Sequence, residues 1–283
     1  FFKKVVVADN CALFVNGVFE NYQTLDGSTL FLGAFFFTIQ IYGDFSGYSD
    51  IAIGCARLFG IDLMQNFKYP YFSRDIAEFW RRWHISLTTW FRDYIYIPLG
   101  GSRAGKWKSF RNTLVIFLVS GFWHGANWTF VAWGAYHALL FLPLLLLGQN
   151  RRYRDSVAEN SFLPSVKELT QMGATFLLVL LGWILFRSED ISQAAVYLER
   201  MFNVSLFSAP QLVGLGFGQL LLKKCFFFTA LMFIVEWIGR KQAHGLMIED
   251  LSLPVRYVIY TVLLIIIYGF DASNPQGFIY FQF

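Results

Sequence analysis

Long apolar windows separated by short polar stretches run along most of the 283-residue chain. Each window is free, or nearly free, of Asp, Glu, Lys and Arg. Because a helix that crosses a bilayer needs about 20 mostly apolar residues, the pattern predicts an all-α polytopic membrane protein with about five to seven embedded segments. The windows are residues 30–43, 113–148, 170–186, 225–235 and 257–270.

A polar interruption, YGDFSGYSD at residues 42–50, follows the first of these windows. Its two acids, two serines and two glycines predict a helix break that lines a cavity, because irregular backbone exposed to lipid is not tolerated. The alternative is that Asp44 and Asp50 end a span at the membrane interface, where polar residues are common. The sequence alone leaves both interpretations open.

Residues 75–97 have the pattern of one amphipathic helix. Asp75 with Glu78 three residues later predicts a capped start, and Pro98 with the two glycines that follow Leu99 predicts the end. Such a helix lies in the interface plane or packs as a shallow element against a bundle.

The faces of this predicted helix differ in chemistry. At about 100° per residue, the bulky apolar side chains share one face, and Arg81, Arg82 and Arg92 fall on the opposite side. His84 lies at the boundary between the two faces.

A single imidazole stands near the middle of the longest charge-free run, residues 113–148, in the stretch GFWHGANW. At about 1.5 Å per residue this run would extend about 54 Å, well beyond a hydrocarbon core of about 30 Å. The run must therefore break, tilt or turn back. We expect the break where Gly121 and Gly125 bracket His124.

His124 would lie about 16 Å from a membrane entry near Thr113, close to the midplane. An ionisable residue at that depth predicts a functional site, with a neutral imidazole that accepts a proton. The alternative is a neutral histidine hydrogen-bonded between helices. His137 follows about 220° further around a continuous helix, so it should not share a site with His124 unless Gly125 or Gly134 kinks the chain. It is predicted to be a packing or peripheral residue.

Composition and charge agree with a membrane protein. Only 15% of the residues are charged, against about 25% in a typical soluble domain. Residues 68–111 carry a net charge of +6, which predicts a cytoplasmic position for this stretch. Because its basic residues are interleaved with a membrane-type apolar face, we expect membrane lipids and no nucleic acid as surroundings.

The motif search leaves histidine acid–base chemistry as the candidate mechanism. The three cysteines show no CxxC spacing, and no His/Cys cluster predicts a metal site. The serine-nucleophile and phosphate-loop motifs do not occur. The sequence therefore predicts no metal, and a reaction driven by proton transfer.

The start of the chain has no leader pattern, and no boundary in the sequence would isolate a soluble domain. We expect residues 1–283 to form a single membrane domain. This domain is predicted to be the C-terminal portion of a longer protein, without that protein's N-terminal helices.

Three ordered segments resemble the membrane-bound O-acyltransferase family, and within it the alginate O-acetyltransferase branch, with the teichoic-acid D-alanyl transfer protein as a more distant relative. The resemblance covers essentially the whole chain. The segments are YGDFSGYSDIAIGCARLFGI at 42–61, FWRRWHISLTTWFRDYIYIPLGG at 79–101 and GFWHGANWTFVAWGAYHA at 121–138, and the closing FIYFQF at 278–283 is also similar to that branch.

This resemblance implies a bundle of membrane helices around a transmembrane tunnel, with interfacial or re-entrant helices, in the bacterial cytoplasmic (inner) membrane. It implies an O-acyltransferase that takes an acetyl group from a cytoplasmic acyl thioester, acetyl-CoA, as its donor substrate. The acceptors it implies are hydroxyls of an extracytoplasmic polysaccharide such as alginate. Periplasmic or membrane-anchored partner proteins relay the acyl group, and no bound cofactor is implied.

The resemblance also assigns roles to two histidines. The family's invariant histidine, in a W-H-G motif, maps to His124, and a second functional histidine, in an R-W-H motif, maps to His84. A positioned histidine that takes a proton typically contributes about 10²–10⁴-fold to a rate. We expect His124 to be the general base and His84 to orient the donor or assist proton transfer.

Five further residues are weaker candidates for binding the donor or the substrate. Arg81, Arg82 and Arg92 carry charge that would attract the phosphates of coenzyme A, and the alternative is that they are interfacial cations. Asp44 and Asn127 are candidates for positioning partners in the cavity. The alternative for Asn127 is a helix cap after the break.

A proton-coupled transporter of a small solute is the alternative function, with the polar interruption and His124 on its path. Such a transporter favours duplicated halves with matching broken helices, and the sequence shows no internal repeat. A third interpretation, a scaffold for exopolysaccharide machinery, leaves His124 without a role.

Overall fold

The computed structural model describes residues 1–102, 105–212, 218–272 and 277–279, and within these ranges the regular structure is helical, with no strand. This agrees with the predicted all-α class. Short π-helical and 3-10 segments join the longer helices at residues 2–8, 70–72, 92–96 and 204–207. The α-helices are α1 (Asp9–Glu20), α2 (Gly27–Leu58), α3 (Ile76–Arg82), α4 (Ile85–Phe91), α5 (Lys106–His124), α6 (Trp128–Leu146), α7 (Val166–Arg187), α8 (Ile191–Met201), α9 (Gln219–Ile238) and α10 (Leu253–Phe270).

Two compact units make up the chain, and the boundary falls inside α8. The first unit comprises Phe1–Leu63 and Ala195–Phe283, and the second comprises Met64–Ala194. In the first unit the 32-residue helix α2 packs along α1 and along the π-helical segment Phe2–Ala8, which α9 and α10 also contact. The prediction of a single membrane domain over the whole chain stays a prediction.

The polar interruption in the first unit does not break its helix. Helix α2 runs without interruption through residues 42–50, so the predicted break is wrong. A Cβ at Gly43 would come within 3.0 Å of the Lys3 carbonyl oxygen, and one at Gly47 within 2.9 Å of the Lys4 amide nitrogen. The glycines therefore allow close packing of two backbones inside a continuous helix.

The second unit is built on a hairpin of α5 and α6, with α7 packed against α6 and the short α3 packed against both α6 and α7. Two glycines set how closely the hairpin packs. A Cβ at Gly121 would lie 2.2 Å from the carbonyl oxygen of Phe130, and one at Gly134 would lie 2.3 Å from that of Phe117. A side chain at either position would push the two helices apart.

The predicted single helix over residues 75–97 is wrong. Its start is confirmed, since the Asp75 side chain caps α3 by accepting the backbone N–H of Glu78 at 2.7 Å. The helix then ends at Arg82, a second short helix begins at Ile85, and a π-helical segment follows. The chain turns at His84, which has φ 45° and ψ 55°.

Three helices of the described chain have the length and apolarity to cross a membrane. They are α6, α7 and α10, with mean hydropathy of 1.7, 1.9 and 1.9. Helices α2 and α9 are also long, at 32 and 20 residues, but both carry charged side chains along their length. The number of five to seven embedded segments stays a prediction beyond these three.

Replacing Gly134 with Ala is expected to destabilise the full-length protein by about 1–3 kcal/mol, because the new methyl group overlaps a backbone carbonyl that cannot move aside. Gly173→Ala in α7 is the matched control, since a Cβ there meets nothing within 4 Å. Alanine is the better helix former by about 0.5–1 kcal/mol, so this control should melt at the same or a higher temperature. Equal melting temperatures for both variants would contradict the close hairpin contact.

Candidate active site

The tip of the α5–α6 hairpin places His124. Helix α5 ends at this residue, Gly125 follows as its C-cap, and α6 begins three residues later at Trp128. The predicted break in the charge-free run is therefore confirmed. A Cβ at Gly125 would lie 2.6 Å from the Phe130 ring, so the reversal has no room for a side chain there.

Aromatic rings from both arms of the hairpin and from α7 surround the His124 imidazole. The ring centroids of Trp123 and Phe186 lie 5.0 Å away, and that of Trp133 lies 5.2 Å away, all in edge-to-face arrangements. The Phe130 ring completes this aromatic cage, with its centroid 6.3 Å from that of His124. The imidazole is half-buried, so its surroundings hold it in place while part of its surface stays accessible.

His84 occupies the turn between α3 and α4 in a left-handed backbone conformation. This conformation costs about 1–2 kcal/mol for a residue with a Cβ. Contacts with Asn66 on an adjacent segment fix the turn: Ile85 donates its N–H to the Asn66 carbonyl at 2.9 Å, and Ser86 donates its N–H to the Asn66 side chain at 3.2 Å. Backbone strain of this kind is concentrated at functional sites.

Trp123 connects the two histidines. Its ring centroid lies 6.3 Å from that of His84 and 5.0 Å from that of His124. Both imidazoles are half-buried. The two rings are close enough that a positive charge on His84 disfavours one on His124. Two histidines that lie 40 positions apart in the sequence thus share one partly accessible aromatic surface.

Burial lowers the pKa of His84 to about 4, from an ordinary value of 6.5. The cause is desolvation, which penalises the charged form. His84 is therefore neutral at physiological pH.

Arg82 belongs to a buried ion-pair network rather than to an open surface. Its Nη2 lies 2.6 Å from Glu78 Oε1, and Arg74 Nη2 lies 3.0 Å from the same oxygen. The side chains of Arg74, Glu78 and Arg82 are 4%, 1% and 9% exposed. Arg74 also reaches Glu168 at the start of α7 and Asp155 in the polar connector, which is residues 147–165 between α6 and α7.

Arg81 and Arg92 lie in different environments. Arg81 donates hydrogen bonds to the backbone carbonyls of Asn150 and Tyr153, so it binds the polar connector. Arg92 is paired with the neighbouring Asp93 at 2.7 Å, and its side chain is 59% exposed. The predicted donor-binding role of the three arginines stays a prediction, and Arg92 is the one whose charge faces outward.

Asn127 caps α6. Its side-chain oxygen accepts the N–H of Thr129 at 3.1 Å, which confirms the capping alternative, and its Nδ2 donates to the Glu189 carbonyl at 2.6 Å. Asp44 belongs to the first unit, where it is 2% exposed. Its two carboxylate oxygens lie 2.7 Å from Lys4 Nζ and 2.6 Å from the Ile279 amide nitrogen.

His137 is fully buried, which agrees with its predicted role as a packing residue. The centroid of its ring nevertheless lies 5.2 Å from that of Trp133, and Trp133 also contacts His124. The predicted separation of about 220° between His124 and His137 applies only to one continuous helix. Because the chain reverses at Gly125, this separation does not hold. Among the described residues, no group of three His, Cys, Asp or Glu side chains is arranged to hold a metal ion.

Comparison with known proteins adds the family. The membrane-bound O-acyltransferase family matches residues 16–162, more than half of the chain, and this range contains His84 and His124. The chain belongs to the membrane-bound O-acyltransferase family. The expected polytopic helical class and the resemblance stated from the three segments are thereby confirmed.

The names of curated relatives of the chain refer to different polymers. The chain is 41% identical to the probable alginate O-acetylase AlgI of Pseudomonas aeruginosa, over 78% of the chain and 41% of that protein. It is 38% identical to the peptidoglycan O-acetyltransferase of Helicobacter pylori, over 72% of the chain and 37% of that protein. It is 30% identical to the teichoic acid D-alanyltransferase of Bacillus subtilis, over 54% of the chain and 40% of that protein. The chain thus spans about two fifths of the length of these relatives.

The pKa of His84 predicts a pH-dependent stability. The unfolded chain takes up the proton near pH 6.5 and the folded chain only near pH 4, so the free energy of unfolding falls as the pH drops through this window. Melting temperatures of the full-length protein in detergent, measured from pH 7.5 to 4.5, should fall less steeply for His84→Gln than for the wild type. Parallel curves would show that His84 is as easily protonated when folded as when unfolded.

The buried ion-pair network predicts a large cost for losing its central acid. Glu78→Gln leaves the charges of Arg74 and Arg82 buried without their shared partner, and we expect a loss of about 3–5 kcal/mol in the free energy of unfolding. Asp93→Asn removes an equivalent charge from an exposed pair and should have little effect. Denaturation of both variants measures the difference, and equal effects would contradict a structural role for the network.

Proposed function

We propose that the full-length protein is a bacterial inner-membrane O-acyltransferase that moves an acetyl group from a cytoplasmic thioester, acetyl-CoA, toward hydroxyls of an extracytoplasmic polysaccharide such as alginate. Periplasmic or membrane-anchored partner proteins relay the acyl group. The single observation that carries the proposal is the pair of half-buried imidazoles that both contact Trp123. The names of the relatives, which include two O-acetyl-transferring proteins, support the reaction class.

The proposed chemistry needs one proton acceptor at the hydroxyl. The His124 imidazole accepts the hydroxyl proton while the oxygen attacks the thioester carbonyl carbon, and a tetrahedral intermediate forms. Collapse of the intermediate breaks the carbon–sulfur bond and leaves the new ester. The imidazolium then returns its proton to the thiolate sulfur, so the base is regenerated.

The surroundings of His124 suit this role. Its aromatic cage excludes water on several sides, which protects a thioester from hydrolysis and favours the neutral, proton-accepting imidazole. The partly exposed side of the ring leaves a direction from which a hydroxyl can approach. His84, neutral and anchored by a strained turn, is proposed to orient the donor or assist the proton transfer.

The remaining candidate residues divide by their contacts. Arg81, Arg82 and Asn127 are proposed to hold the fold, because their side chains already bind carbonyls or carboxylates of the second unit. Arg92 is proposed as a contact for donor phosphates, since its guanidinium is outward-facing and its partner Asp93 is also exposed. Asp44, in the first unit, is proposed to stabilise the packing of α2 through its pair with Lys4.

Acyl transfer by full-length His124→Asn is expected to fall by at least 10²-fold, in line with the loss of a general base. Acetylation of the polymer is measured in cells and normalised to the amount of the protein in the membrane. His244→Asn is the matched control, because it makes the same substitution at a histidine in the turn after α9. Normal acetylation by His124→Asn at normal abundance would show that the base is elsewhere.

A further inference from the structure

Five ring nitrogens lie buried in the second unit without a hydrogen-bond partner among the described residues. They belong to four side chains. Three of these side chains are at most 1% exposed, namely His137, Trp133 and Trp183. The nitrogens are both ring nitrogens of His137 and the indole nitrogens of Trp80, Trp133 and Trp183.

These four side chains form one contiguous group, which we call the nitrogen cluster. The His137 ring centroid lies 5.0 Å from that of Trp80, 5.2 Å from that of Trp133 and 6.5 Å from that of Trp183. Trp133 also lies 5.6 Å from Trp80 and 5.8 Å from Trp183. The cluster thus joins α3, α6 and α7, and Trp133 connects it to His124.

The polar atoms of the nitrogen cluster are not needed for packing. Phenylalanine would fill much of the same space, and a buried polar group without a partner costs about 1–3 kcal/mol. Unpartnered buried groups are rare in native proteins, and each one calls for a physical explanation such as a bound water or ligand. Four such side chains in mutual contact point to one shared ligand.

A glycine of α7 packs closely against the imidazole of this cluster. A Cβ at Gly182 of α7 would lie 2.6 Å from His137 Nε2 and 3.2 Å from Cε1. Any larger residue at position 182 would press on the ring nitrogen. Because Gly182 has no side chain, the imidazole can pack directly against the α7 backbone.

The hydrogen-bonding inventory selects the class of ligand. Three indoles supply three N–H donors, and a neutral imidazole adds one donor and one acceptor. Donors therefore outnumber acceptors by four to one, which favours an oxygen atom with free lone pairs and disfavours a cation. An isolated anion in this apolar setting would carry a much larger desolvation cost than a neutral oxygen.

We propose that His137, Trp80, Trp133 and Trp183 form an internal site for a neutral oxygen atom that accepts N–H hydrogen bonds. The oxygen comes from a bound water or from the carbonyl of a small acyl group. The water source stands independently of the proposed function, whereas the acyl source rests on it. In either case His137 is a ligand-binding residue next to the aromatic cage of His124.

Ultraviolet resonance Raman spectra of the full-length protein in detergent test the site, because the indole N–H band shifts when the N–H donates a hydrogen bond. Difference spectra between the wild type and Trp80→Phe, Trp133→Phe or Trp183→Phe isolate each indole. Trp107→Phe is the control, since its side chain is among the exposed aromatics of the described chain, at 79%. Spectra are recorded without and with acetyl-CoA.

We expect at least two of the three cluster indoles to show the hydrogen-bonded position, because a neutral oxygen has two lone pairs with which to accept hydrogen bonds. A bonded position without acetyl-CoA identifies water, and a shift to that position only after acetyl-CoA is added identifies the acyl carbonyl. An unbonded position under both conditions overturns the proposal. The measurement requires no turnover, so its failure leaves the test of His124 as general base unaffected.

A second set of variants tests the contribution of His137. His137→Phe should move at least one cluster indole toward the unbonded position, and His137→Gln, which keeps a donor and an acceptor, should restore the bonded position. Tyr136→Phe is the control on the same helix, because its hydroxyl bonds the Leu178 carbonyl outside the cluster. Indole bands that stay unchanged in His137→Phe would remove His137 from the site and overturn the four-residue proposal.

Discussion

The close approach of α5 and α6 is the constraint on which the second unit depends. At Gly121 and Gly134 the backbone of one helix meets the backbone of the other with no room for a Cβ. In a membrane-type setting such contacts supply packing that the hydrophobic effect cannot, because lipid tails are as apolar as the side chains they would replace. The hairpin tip, and with it the position of His124, follows from this contact.

The histidines of this unit differ in what surrounds them, and that difference separates their roles. His124 and His84 are half-buried and contact the same indole, whereas His137 is enclosed by aromatic rings. An enclosed imidazole cannot meet a large substrate, but it can bind a small one. The unit thus holds an accessible histidine pair and, across Trp133, an enclosed polar cluster.

Much of this arrangement could be predicted from the sequence, and the errors have physical causes. The break at Gly125 followed from comparing the length of the charge-free run with the thickness of a bilayer. The continuous helix through residues 42–50 was not predictable, because its two acids pair with Lys3 and Lys4 from a segment that is distant in sequence. Helical periodicity likewise could not reveal the turn at His84, since the contacts with Asn66 that fix it are tertiary.

Part of the aromatic cage of His124 was likewise not predictable from the sequence, because it depends on tertiary contacts. Trp123 adjoins His124 in sequence, so its contact with the imidazole is local. Trp133 and Phe186 come from the second arm of the hairpin and from α7, so only the packed fold brings them to the imidazole. The family match, in contrast, depends on ordered motifs and did not require the three-dimensional arrangement.

The way the polar connector is attached has a consequence for how this sequence can diverge. Arg81 and Arg82 donate hydrogen bonds to backbone carbonyls of the connector, at Asn150, Tyr153 and Asp155. Every residue type supplies such a carbonyl. Substitutions in the connector therefore preserve these attachments, whereas substitution of either arginine removes them. Drift between relatives should be rapid on the connector and slow at the arginines, which leaves the outer surface of the connector free to adapt to different partners.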